Sequence, residues 1–427
     1  MSRYRFISIV VVLSSYVSLG AQPVRRELSV ESAVQTALAR NAGIAVVRAD
    51  VRSARGSLLQ ASTGYNPSLA IEYNLFNRTN GKWLDFNNGA NPSQQTASID
   101  TKIDYSGTVG GRTSVAEKDV EVNETVLTAT QRLLTAQVQR ALVDIQAYAR
   151  QRRITDGAID SLRAMITAME SMRGRGVYAE QELLRIGVLG YQLERAASEI
   201  RMNERNAMGA LRVLLGDSTD VVYDVTPFAT RPTTSLSDTL TEPSLLSLAM
   251  RERPDLAINR IQRERELANL SYQKRLAWPD LRMGLTYDKQ GSSWPDYMGL
   301  TMSLELPFFD RNQGGIEISQ ANIERSDASY RAGMESATQD IRSALASLRE
   351  STNLLQRART LDNATGGERA TTLLNAYRAR ALGFIEFVDL YQAIVDASIM
   401  SIEAERHWYN SVIDLNVAAG TTVLPIN

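Results

Sequence analysis

The sequence predicts a mainly helical fold with some β-structure, in which a long antiparallel helical bundle or coiled coil is joined to four membrane-crossing β-strands per chain. Three observations predict it. The chain carries an internal two-fold repeat, helical sequence fills the space between short strand-like segments, and those segments alternate strictly between apolar and polar residues.

The internal repeat shows in two pairs of segments that share one offset of about 212 residues. Asn41-Ala42-Gly43-Ile44 corresponds to Arg253-Pro254-Asp255-Leu256, and Asn66-Pro67-Ser68-Leu69 corresponds to Trp278-Pro279-Asp280-Leu281. A stretch rich in Pro and Thr separates the repeats. The expected division is a first repeat over 21–226, a linker over 227–242, a second repeat over 243–420 and a tail over 421–427.

Each repeat contributes one pair of strands, and a proline opens the first strand of each pair. Apolar residues occupy one face, as in Leu69, Ile71 and Tyr73. Strands of about ten residues with one apolar and one polar face are typical of a membrane barrel with water inside. An ordinary antiparallel sheet packed on a helical core is the alternative. The strands are expected at about 67–75 and 97–105, and at about 279–288 and 298–306.

The polar face of these strands would line the passage of such a barrel. Because its residues carry both signs of charge, they predict a water-filled passage without sharp charge selection. The residues expected to face the lumen are Glu72, Asp100, Lys102, Asp104, Arg282 and Glu305.

Helical sequence makes up the rest of each repeat. A single helix is expected before each strand pair, over 27–61 and 243–277, and a long helical hairpin after it, over 112–215 and 315–419. The stretch from Arg112 to Met172 alone would span roughly 90 Å as a helix. No compact domain has that dimension, so these helices are expected to form a long bundle.

The hairpins reverse at points where glycine and arginine cluster. Gly176 and Gly383 are expected to provide the backbone freedom that a helix end or a tight turn requires. The arginines either pair with acidic side chains, face a partner protein or are simply solvated. The residues assigned to the tips are Arg173, Gly174, Arg175, Gly176, Arg378, Arg380 and Gly383.

Four strands cannot close a membrane barrel on their own. An open strand edge finds no hydrogen-bond partner in hydrocarbon, and the smallest barrels have about eight strands. Closed rotational symmetry is the common solution for identical chains. Two or three chains would supply eight or twelve strands, so the sequence predicts an oligomer.

Bulk properties narrow the classes of function. The formal net charge is −1, so no basic surplus favours nucleic acid as a partner. The sequence contains no cysteine and a single histidine, His407, which excludes thiolate sites and a histidine metal triad within one chain. We therefore expect no enzyme activity and no cofactor. Residues 1–20 predict a secretory signal peptide, with an uncleaved anchor helix as the alternative.

Several segments resemble the TolC family of outer-membrane efflux proteins, in an order that covers nearly all of the sequence after residue 20. They are Leu28-Ser29-Val30-Glu31-Ser32-Ala33-Val34, the Arg-Pro-Asp-Leu segment and Gly383-Phe384-Ile385-Glu386-Phe387-Val388-Asp389-Leu390. Leu306-Pro307-Phe308-Phe309-Asp310-Arg311-Asn312-Gln313-Gly314-Gly315 is most similar to the heavy-metal, CzcC-like branch. Asn41-Ala42-Gly43 departs from the usual Asn-Pro of the family.

The resemblance implies a homotrimer whose twelve strands complete one barrel in the outer membrane of a Gram-negative-type bacterium, continued by a hollow helical cylinder through the periplasm. The hairpin tips would form the aperture and meet a periplasmic adaptor (membrane fusion) protein, which connects the duct to an inner-membrane pump of the proton-driven RND type. By position, Asp389 matches an aperture carboxylate and Glu182 matches an acidic position in the first repeat. Gln392 stands where some members have a second Asp.

The expected function is therefore an export duct of a tripartite efflux system. It would passively conduct substrates, either heavy-metal cations or drugs, from pump and adaptor to the exterior. A duct for type I protein secretion is one alternative, and a periplasmic coiled-coil scaffold without a pore is another.

Overall fold

The computed structural model describes residues 25–78, 81–84, 94–171, 180–217, 221–228, 240–290, 295–365 and 368–426. The predicted signal peptide and the tip residues Arg173, Gly174, Arg175 and Gly176 lie outside these ranges.

Long helices dominate the described residues, and short strands lie between them. The helices are α1 (Val30–Arg40), α2 (Ala42–Ser62), α3 (Thr108–Ser171), α4 (Glu180–Leu215), α5 (Glu242–Glu252), α6 (Pro254–Leu276), α7 (Gln313–Thr365), α8 (Glu368–Arg378) and α9 (Phe384–Ala419). The strands are β1 (Arg25–Leu28), β2 (Ser68–Tyr73), β3 (Phe76–Asn77), β4 (Lys82–Trp83), β5 (Gln95–Ile103), β6 (Val222–Val225), β7 (Asp280–Gln290) and β8 (Pro295–Glu305).

Helix α3 is the element around which the other helices pack. With 64 residues, it spans about 96 Å at a rise of 1.5 Å per residue. It packs along α2 and α6 and along α4 and α9, while α7 packs along α6 and α9. The helical layer therefore ends in α2 and α4 on one side and in α7 on the other.

Three separate clusters of buried apolar side chains hold this layer together. The first joins α5, α7 and α9 to α3 and includes Leu348 and Ile413. The second joins α1 to α3 and α4 and includes Leu142 and Leu211. The third, which we call the tip core, joins the far end of α3 to the beginnings of α4 and α9 and includes Phe387.

Strands from both repeats form one antiparallel sheet of four strands in the order β2-β5-β7-β8. The central pair, β5 and β7, joins the repeats, with Asp100 opposite Gly284. The outer strands β2 and β8 each have one edge without a partner strand in this sheet. None of the described helices combines the length with the apolar composition that a membrane crossing requires.

Two short strand pairs were not expected from the sequence. β1 pairs in parallel with β6, and β3 pairs with β4 in a hairpin of two residues per strand. The rings of Phe76 and Trp83 lie 5.0 Å apart across this hairpin. Segments of two to four residues are too short to show a period of two, which explains why alternation did not reveal them.

In the second long hairpin, α7 ends at Thr365 and α8 begins at Glu368, on either side of two residues outside the described ranges. Helix α3, in contrast, begins at Thr108, four residues before the expected start of the first hairpin.

The single helix expected before each strand pair is broken at one residue in both repeats. Asn41 separates α1 from α2 with φ −61° and ψ 128°, and Arg253 separates α5 from α6 with φ −72° and ψ 120°. Extended backbone at one position interrupts the helical hydrogen-bond ladder. Pro254 disfavours helical backbone at Arg253, while the side chain of Asn41 accepts a hydrogen bond from Gly43 N at 2.8 Å and caps α2.

The end of a long helical hairpin holds each break in place. Asn41 Nδ2 donates to the carbonyl of Leu214 at 2.9 Å, and Arg253 Nη1 donates to the carbonyl of Ala418 at 3.2 Å. Each carbonyl lies two residues before a glycine in the left-handed region, Gly216 with φ 65° or Gly420 with φ 72°. We call these arrangements the first joint (Asn41, Leu214, Gly216) and the second joint (Arg253, Ala418, Gly420).

The glycines of both joints are required by close backbone approach as well as by their φ. A Cβ atom at Gly216 would lie 2.6 Å from the carbonyl oxygen of Arg40, and one at Gly420 would lie 2.7 Å from the backbone nitrogen of Arg253. Both contacts are to backbone, which has little freedom to move away.

We expect Gly420→Ala to lower the free energy of unfolding by about 1–3 kcal/mol, because alanine is strained at positive φ and its methyl group meets the backbone of Arg253. Thermal unfolding in detergent, followed by circular dichroism, measures this effect. Gly56→Ala is the control. Its added methyl group meets no atom within 4 Å in the middle of α2, so stability should rise by about 0.5–1 kcal/mol. Equal effects of the two changes would contradict the proposed strain.

The second joint also contains an ion-pair cluster that predicts a dependence on pH. Arg253 Nη2 lies 2.7 Å from Asp255 Oδ2, and Arg253 Nη1 lies 2.9 Å from Asp340 Oδ2. Burial alone would raise the pKa of Asp255. The hydrogen bond and the charge of Arg253 outweigh burial and hold the pKa below its ordinary value of 3.8. The stabilisation is therefore complete above that value and is lost as the pH falls through the lower folded-state pKa.

Asp255→Asn should lower the unfolding temperature at neutral pH, and its difference from the unchanged protein should shrink below about pH 4. Unfolding temperatures measured across this range test the prediction. Asp396→Asn serves as control, since this exposed carboxylate of α9 forms no ion pair in the described part of the chain. A difference that grows on acidification would show that Asp255 does not have a lowered pKa.

Candidate functional site

The beginnings of two helices, one from each repeat, meet at the tip of the molecule. α4 begins at Glu180 and α9 begins at Phe384. Between them lies an open groove of roughly 770 Å³, which we call the tip groove. Its lining residues are Gln181, Glu182, Arg185, Gly383, Phe384, Ile385, Glu386, Asp389 and Leu390. The structure thus brings together Glu182 and Asp389, which the family resemblance had selected separately.

The tip groove is acidic. Three carboxylates, from Glu182, Glu386 and Asp389, face one guanidinium, from Arg185, so the lining carries a formal charge of −2. Glu182 and Glu386 occupy the first turns of α4 and α9, where the partial positive charge of a helix N-terminus favours an acid. Asp389 lies beyond the first turn of α9, so the helix N-terminus does not explain the presence of an acid at this position. Gln392 is exposed one turn further along α9 and does not line the groove.

The tip core fixes the helix beginnings from behind the groove. Phe387 is fully buried and stacks on Tyr377, with ring centroids 4.8 Å apart. It also lies 5.6 Å from the ring of Tyr391, whose hydroxyl donates to the carbonyl of Ala158 at 3.3 Å. Burial raises the pKa of the Tyr391 phenol, so this donor stays protonated at neutral pH. These rings place Glu386 and Asp389 on the groove side of α9.

Arg380, not Gly383, adopts the left-handed backbone of the second reversal. Its φ is 58°, and the bonds Arg380 N to Tyr377 O and Ala381 N to Ala376 O, both 2.9 Å, form a Schellman motif. Gly383 has φ −66° and ψ 152°, which any residue adopts, and precedes α9 as its N-cap. The role expected for Gly383 is therefore corrected.

The arginines of this reversal have different positions. Arg378 is the last residue of α8. Arg380 is exposed and forms no ion pair with Asp389 in the part of the chain described here. Arg380 therefore does not support the hypothesis that the tip arginines pair with the acids of the groove.

The polar face of the sheet forms a ladder of charges near its helix-side end. Lys102 Nζ lies 2.5 Å from Asp280 Oδ1, and Arg282 Nη1 lies 3.3 Å from Asp100 Oδ2. Ser68 Oγ donates to Asp100 Oδ1 at 2.6 Å. Glu305, opposite Asp280, belongs to the same end, and Glu72 lies on this face toward the other end of β2.

Asp104 lies outside the strand to which the sequence assigned it. β5 ends at Ile103, and Asp104 caps α3 instead. Its Oδ1 accepts from the backbone nitrogen of Thr108 at 2.6 Å, and its Oδ2 accepts from Val109 N at 2.9 Å. The carboxylate of Asp104 accepts hydrogen bonds from free N–H groups at the beginning of α3, which explains why an acidic residue lies at this position.

Sequence reasoning omitted three residues that the structure adds. Arg185 and Glu386 line the tip groove, and Asp280 binds Lys102. The signals were present, because Arg185 follows Glu182 by three residues and Glu386 precedes Asp389 by three, a spacing that places side chains on one helix face. Asp280 lies on the polar face of its strand.

Known proteins are similar to this chain in sequence. The sequence profile of the family described as outer membrane efflux protein matches residues 33–217 and 245–421. The cobalt-zinc-cadmium resistance protein CzcC of Cupriavidus metallidurans is 22% identical over 407 residues, which cover 93% of this chain and 89% of CzcC.

Solved structures share the fold at low sequence identity. A membrane protein from Pseudomonas aeruginosa has a TM-score of 0.74 and 18% identity, with 92% of this chain and 93% of that protein covered. CusC, whose structures concern folding and transmembrane channel formation, has a TM-score of 0.75 and 16% identity, with 92% of each chain covered.

Long helices joined to a four-stranded amphipathic sheet are thus the fold that the chain shares with these solved structures. The chain belongs to the outer membrane efflux protein family, since the family profile matches most of its length. The resemblance to the TolC family and to its CzcC-like branch is thereby confirmed. The family consists of transporters rather than enzymes.

We expect Phe387→Ala to weaken the tip core by about 3–5 kcal/mol, because it removes a fully buried ring. Hydrogen exchange read by mass spectrometry should show faster exchange at the beginning of α9 and no change around Leu142. Ile385→Ala is the matched control, since Ile385 lies two residues away on the same helix and is exposed. Uniform acceleration along the whole chain would contradict a separate tip core.

Proposed function

We propose that three copies of this chain form one continuous export duct, with a twelve-stranded barrel in the outer membrane and helices that extend into the periplasm. The observation that carries this proposal is the register of apolar residues across the four-stranded sheet. Leu69, Ile99, Leu285 and Leu300 lie directly opposite one another in neighbouring strands.

This row is one of several on the same face, and the described residues of the chain do not cover it. Its four side chains are 45–68% exposed. The next rows on this face, such as Ile103, Leu281 and Leu304, repeat the pattern. The opposite face carries Ser68, Asp100 and Thr301 in register with Gly284. A sheet with uncovered apolar rows on one face and polar rows on the other fits lipid outside and water inside.

The two open edges of the sheet support association of identical chains. Among the described strands, β2 and β8 each have no neighbour on one side, and in hydrocarbon their free N–H and C=O groups would have no partner. Pairing β2 of one copy with β8 of the next satisfies both edges and continues around a ring. Three copies supply twelve strands.

Like the sheet, the layer of helices has two outer sides that a neighbouring copy can contact. α4 lies at one side, and its face away from the buried core carries the exposed apolar side chains Leu184, Val188 and Tyr191. Their spacing of four and three residues forms one stripe along the helix. We assign this stripe to the contact with α7 of the neighbouring copy, so that sheet and helices associate in the same order around the ring.

At the tips, Glu182 and Asp389 are assigned to the aperture, with Gln392 one turn above. Three copies of Asp389 about 10 Å apart would repel one another by roughly 0.4 kcal/mol per pair in water, or about 1.7 kcal/mol at an effective dielectric of 20. Such a ring attracts cations without trapping them. The lumen beyond it carries both signs of charge, from Lys102 and Arg282 to Asp100 and Glu305, which suits passage without strong retention.

The partners of the duct follow from the same proposal. The tip groove, with exposed Ile385 and Leu390 beside its acids, is the docking surface assigned to a periplasmic adaptor protein. The adaptor connects the duct to an inner-membrane pump, for which the proton-driven RND type is proposed. The similarity to a cobalt-zinc-cadmium resistance protein favours heavy-metal cations as cargo.

Planar lipid bilayers test the duct and its aperture together. The purified protein should insert as discrete water-filled channels, and Asp389→Lys should lower the preference for cations over anions by a factor between about 2 and about 10. Asp224→Lys introduces the same change of charge at an exposed residue of β6, away from the tip, and should leave the preference unchanged.

Two results would contradict the proposal at different levels. If Asp389→Lys and Asp224→Lys behave alike, Asp389 does not lie at the constriction. If the unchanged protein is a stable monomer in buffer without detergent and forms no channels, the duct itself is wrong.

A further inference from the structure

The internal repeat makes one contact inside the chain equivalent to a contact between chains. Within the chain, α3 of the first repeat packs along α6 of the second repeat. Helix α7 is the counterpart of α3 in the second repeat, and α2 is the counterpart of α6 in the first. In the ring of the proposed function, on which this inference rests, α7 therefore packs on α2 of the neighbouring copy as α3 packs on α6.

Buried side chains fix which residues of α3 and α7 correspond. Four residues of each helix are buried against the short helix that precedes the strands of the same repeat, with one spacing and an offset of about 203 residues. They are Val138, Ala141, Leu142 and Ile145 in α3 and Ile341, Ala344, Leu345 and Leu348 in α7. Helices α2 and α6 begin directly after the two breaks and keep the offset of about 212 residues. The charged residues of these helices can therefore be compared one by one.

Polar contacts join α3 to the second repeat at two levels. Lys118 Nζ lies 2.8 Å from Glu121 Oε2 of its own helix and 2.6 Å from Glu264 Oε2 of α6. Nearer the second joint, Arg132 Nη1 donates to the carbonyl of Glu252, the last residue of α5, at 2.7 Å. Residue 121 thus lies beside residue 264, and residue 132 lies beside residue 252.

The counterparts of the first level carry opposite charges. Glu324 of α7 corresponds to Glu121, and Arg52 of α2 corresponds to Glu264. Both Glu324 and Arg52 are exposed, and neither forms an ion pair within the described residues. Inside the chain a lysine bridges the two glutamates. Between copies, the arginine and the glutamate would attract each other directly.

The second level repeats this arrangement. Glu335 of α7 corresponds to Arg132, and Arg40, the last residue of α1, corresponds to Glu252. Glu335 and Arg40 are also exposed, without an ion-pair partner in the described ranges. The sign of each charge is the reverse of its counterpart's, so opposite charges again meet at the boundary between copies.

The same charges oppose the wrong neighbour. Because the two repeats share a fold, α7 could dock on α6 of another copy before the repeats of that copy have closed on each other, and α3 could dock on α2. The first arrangement would place Glu324 against Glu264, and the second would place Lys118 against Arg52. Contacts between like charges are a means of rejecting a competing partner.

The tip half of the helical layer supports the correspondence independently. Val395 of α9 and Ala158 of α3 are buried together in the tip core. At the offsets of their helices, their counterparts are Tyr191 of α4 and Leu361 of α7, which are both exposed. An apolar pair that is buried inside the chain thus corresponds to an exposed apolar pair on the two outer sides of the layer.

We propose that Arg40 and Arg52 on one side of the layer, with Glu335 and Glu324 on the other, form a self-recognition surface whose partner is a second copy of this chain. The surface sets the register of α7 on α2 of the neighbouring copy. It makes first and second repeats alternate around the ring, and it favours copies of this chain over related chains with other charges at these positions.

Co-expression of two differently tagged forms of the full chain tests the proposal. One form is unchanged, and the charge-exchanged form carries Arg40→Glu, Arg52→Glu, Glu324→Arg and Glu335→Arg. Each form matches its own copies, whereas a ring that contains both has like charges at its mixed boundaries. After extraction in detergent, capture through one tag and detection of the other measures mixed rings. Their fraction should be at least about tenfold below that of two unchanged forms with different tags.

A single pair provides a second comparison with a matched control. Arg52→Glu alone should lower the temperature at which the ring dissociates in SDS, and Glu324→Arg in the same chain should restore it. Glu317→Arg is the control, since Glu317 is another exposed acid of α7, about two turns nearer the sheet. It should not restore the ring of the Arg52→Glu chain.

The outcomes separate this surface from the duct itself. Free mixing of the charge-exchanged and unchanged forms, or equal rescue by Glu317→Arg and Glu324→Arg, would show that these charges do not face each other and would leave the ring intact. A charge-exchanged form that makes no rings with its own copies would also overturn the pairing. If two unchanged forms do not capture each other, there is no ring, and the proposed function fails together with the surface.

Discussion

The architecture depends on one constraint, a four-stranded sheet whose apolar rows are not covered by any described part of their own chain. In an ordinary antiparallel sheet one face packs on a core. Here Leu69, Ile99, Leu285 and Leu300 stand side by side and exposed, while both outer strands have an open edge. In the duct proposed above, hydrocarbon outside and neighbouring copies at the edges would satisfy both requirements at once.

The sequence revealed the parts of this fold whose patterns extend over many residues. Alternation over about ten residues located the sheet strands, and the 212-residue offset paired Asn41 with Arg253 as corresponding positions. It did not reveal that both positions break a helix. Pro254 gave a local signal for the break at Arg253. The contacts that hold both breaks in place, however, span about 170 residues, from Asn41 to Leu214 and from Arg253 to Ala418, and involve left-handed glycines at the far ends of other helices. Local pattern carries no information about such partners.

For the candidate site, the sequence predicted which residues belong to it better than it predicted their backbone geometry. Resemblance selected Glu182 and Asp389, and the structure places both in one groove. The residue predicted for the second turn was wrong. Glycine is the usual residue in the left-handed backbone at a helix end, and Gly383 is the glycine nearest to this turn. Arg380 adopts the left-handed conformation instead. This conformation is strained for a residue other than glycine, and the packing of Tyr377 against Phe384 nearby must offset the strain. Asp104 shows the same limit of local sequence patterns. The strand β5 ends only one residue before Asp104, so the alternation could not distinguish a strand residue from a helix cap.

The tip core is separated from the other two clusters by a polar layer, and this separation bears on how an aperture can move. On α3 the buried apolar residues stop at Ala147 and resume at Ala158. Between them, Gln151 is buried and donates to Glu403, and Arg152 pairs with Glu204 at 2.9 Å. Such polar contacts add little stability compared with apolar packing, but they specify which helices pair. In the proposed duct, a shift of the tip helices would disturb the tip core and the contacts of this polar layer, while the apolar residues that hold the sheet-side half of the bundle would stay buried.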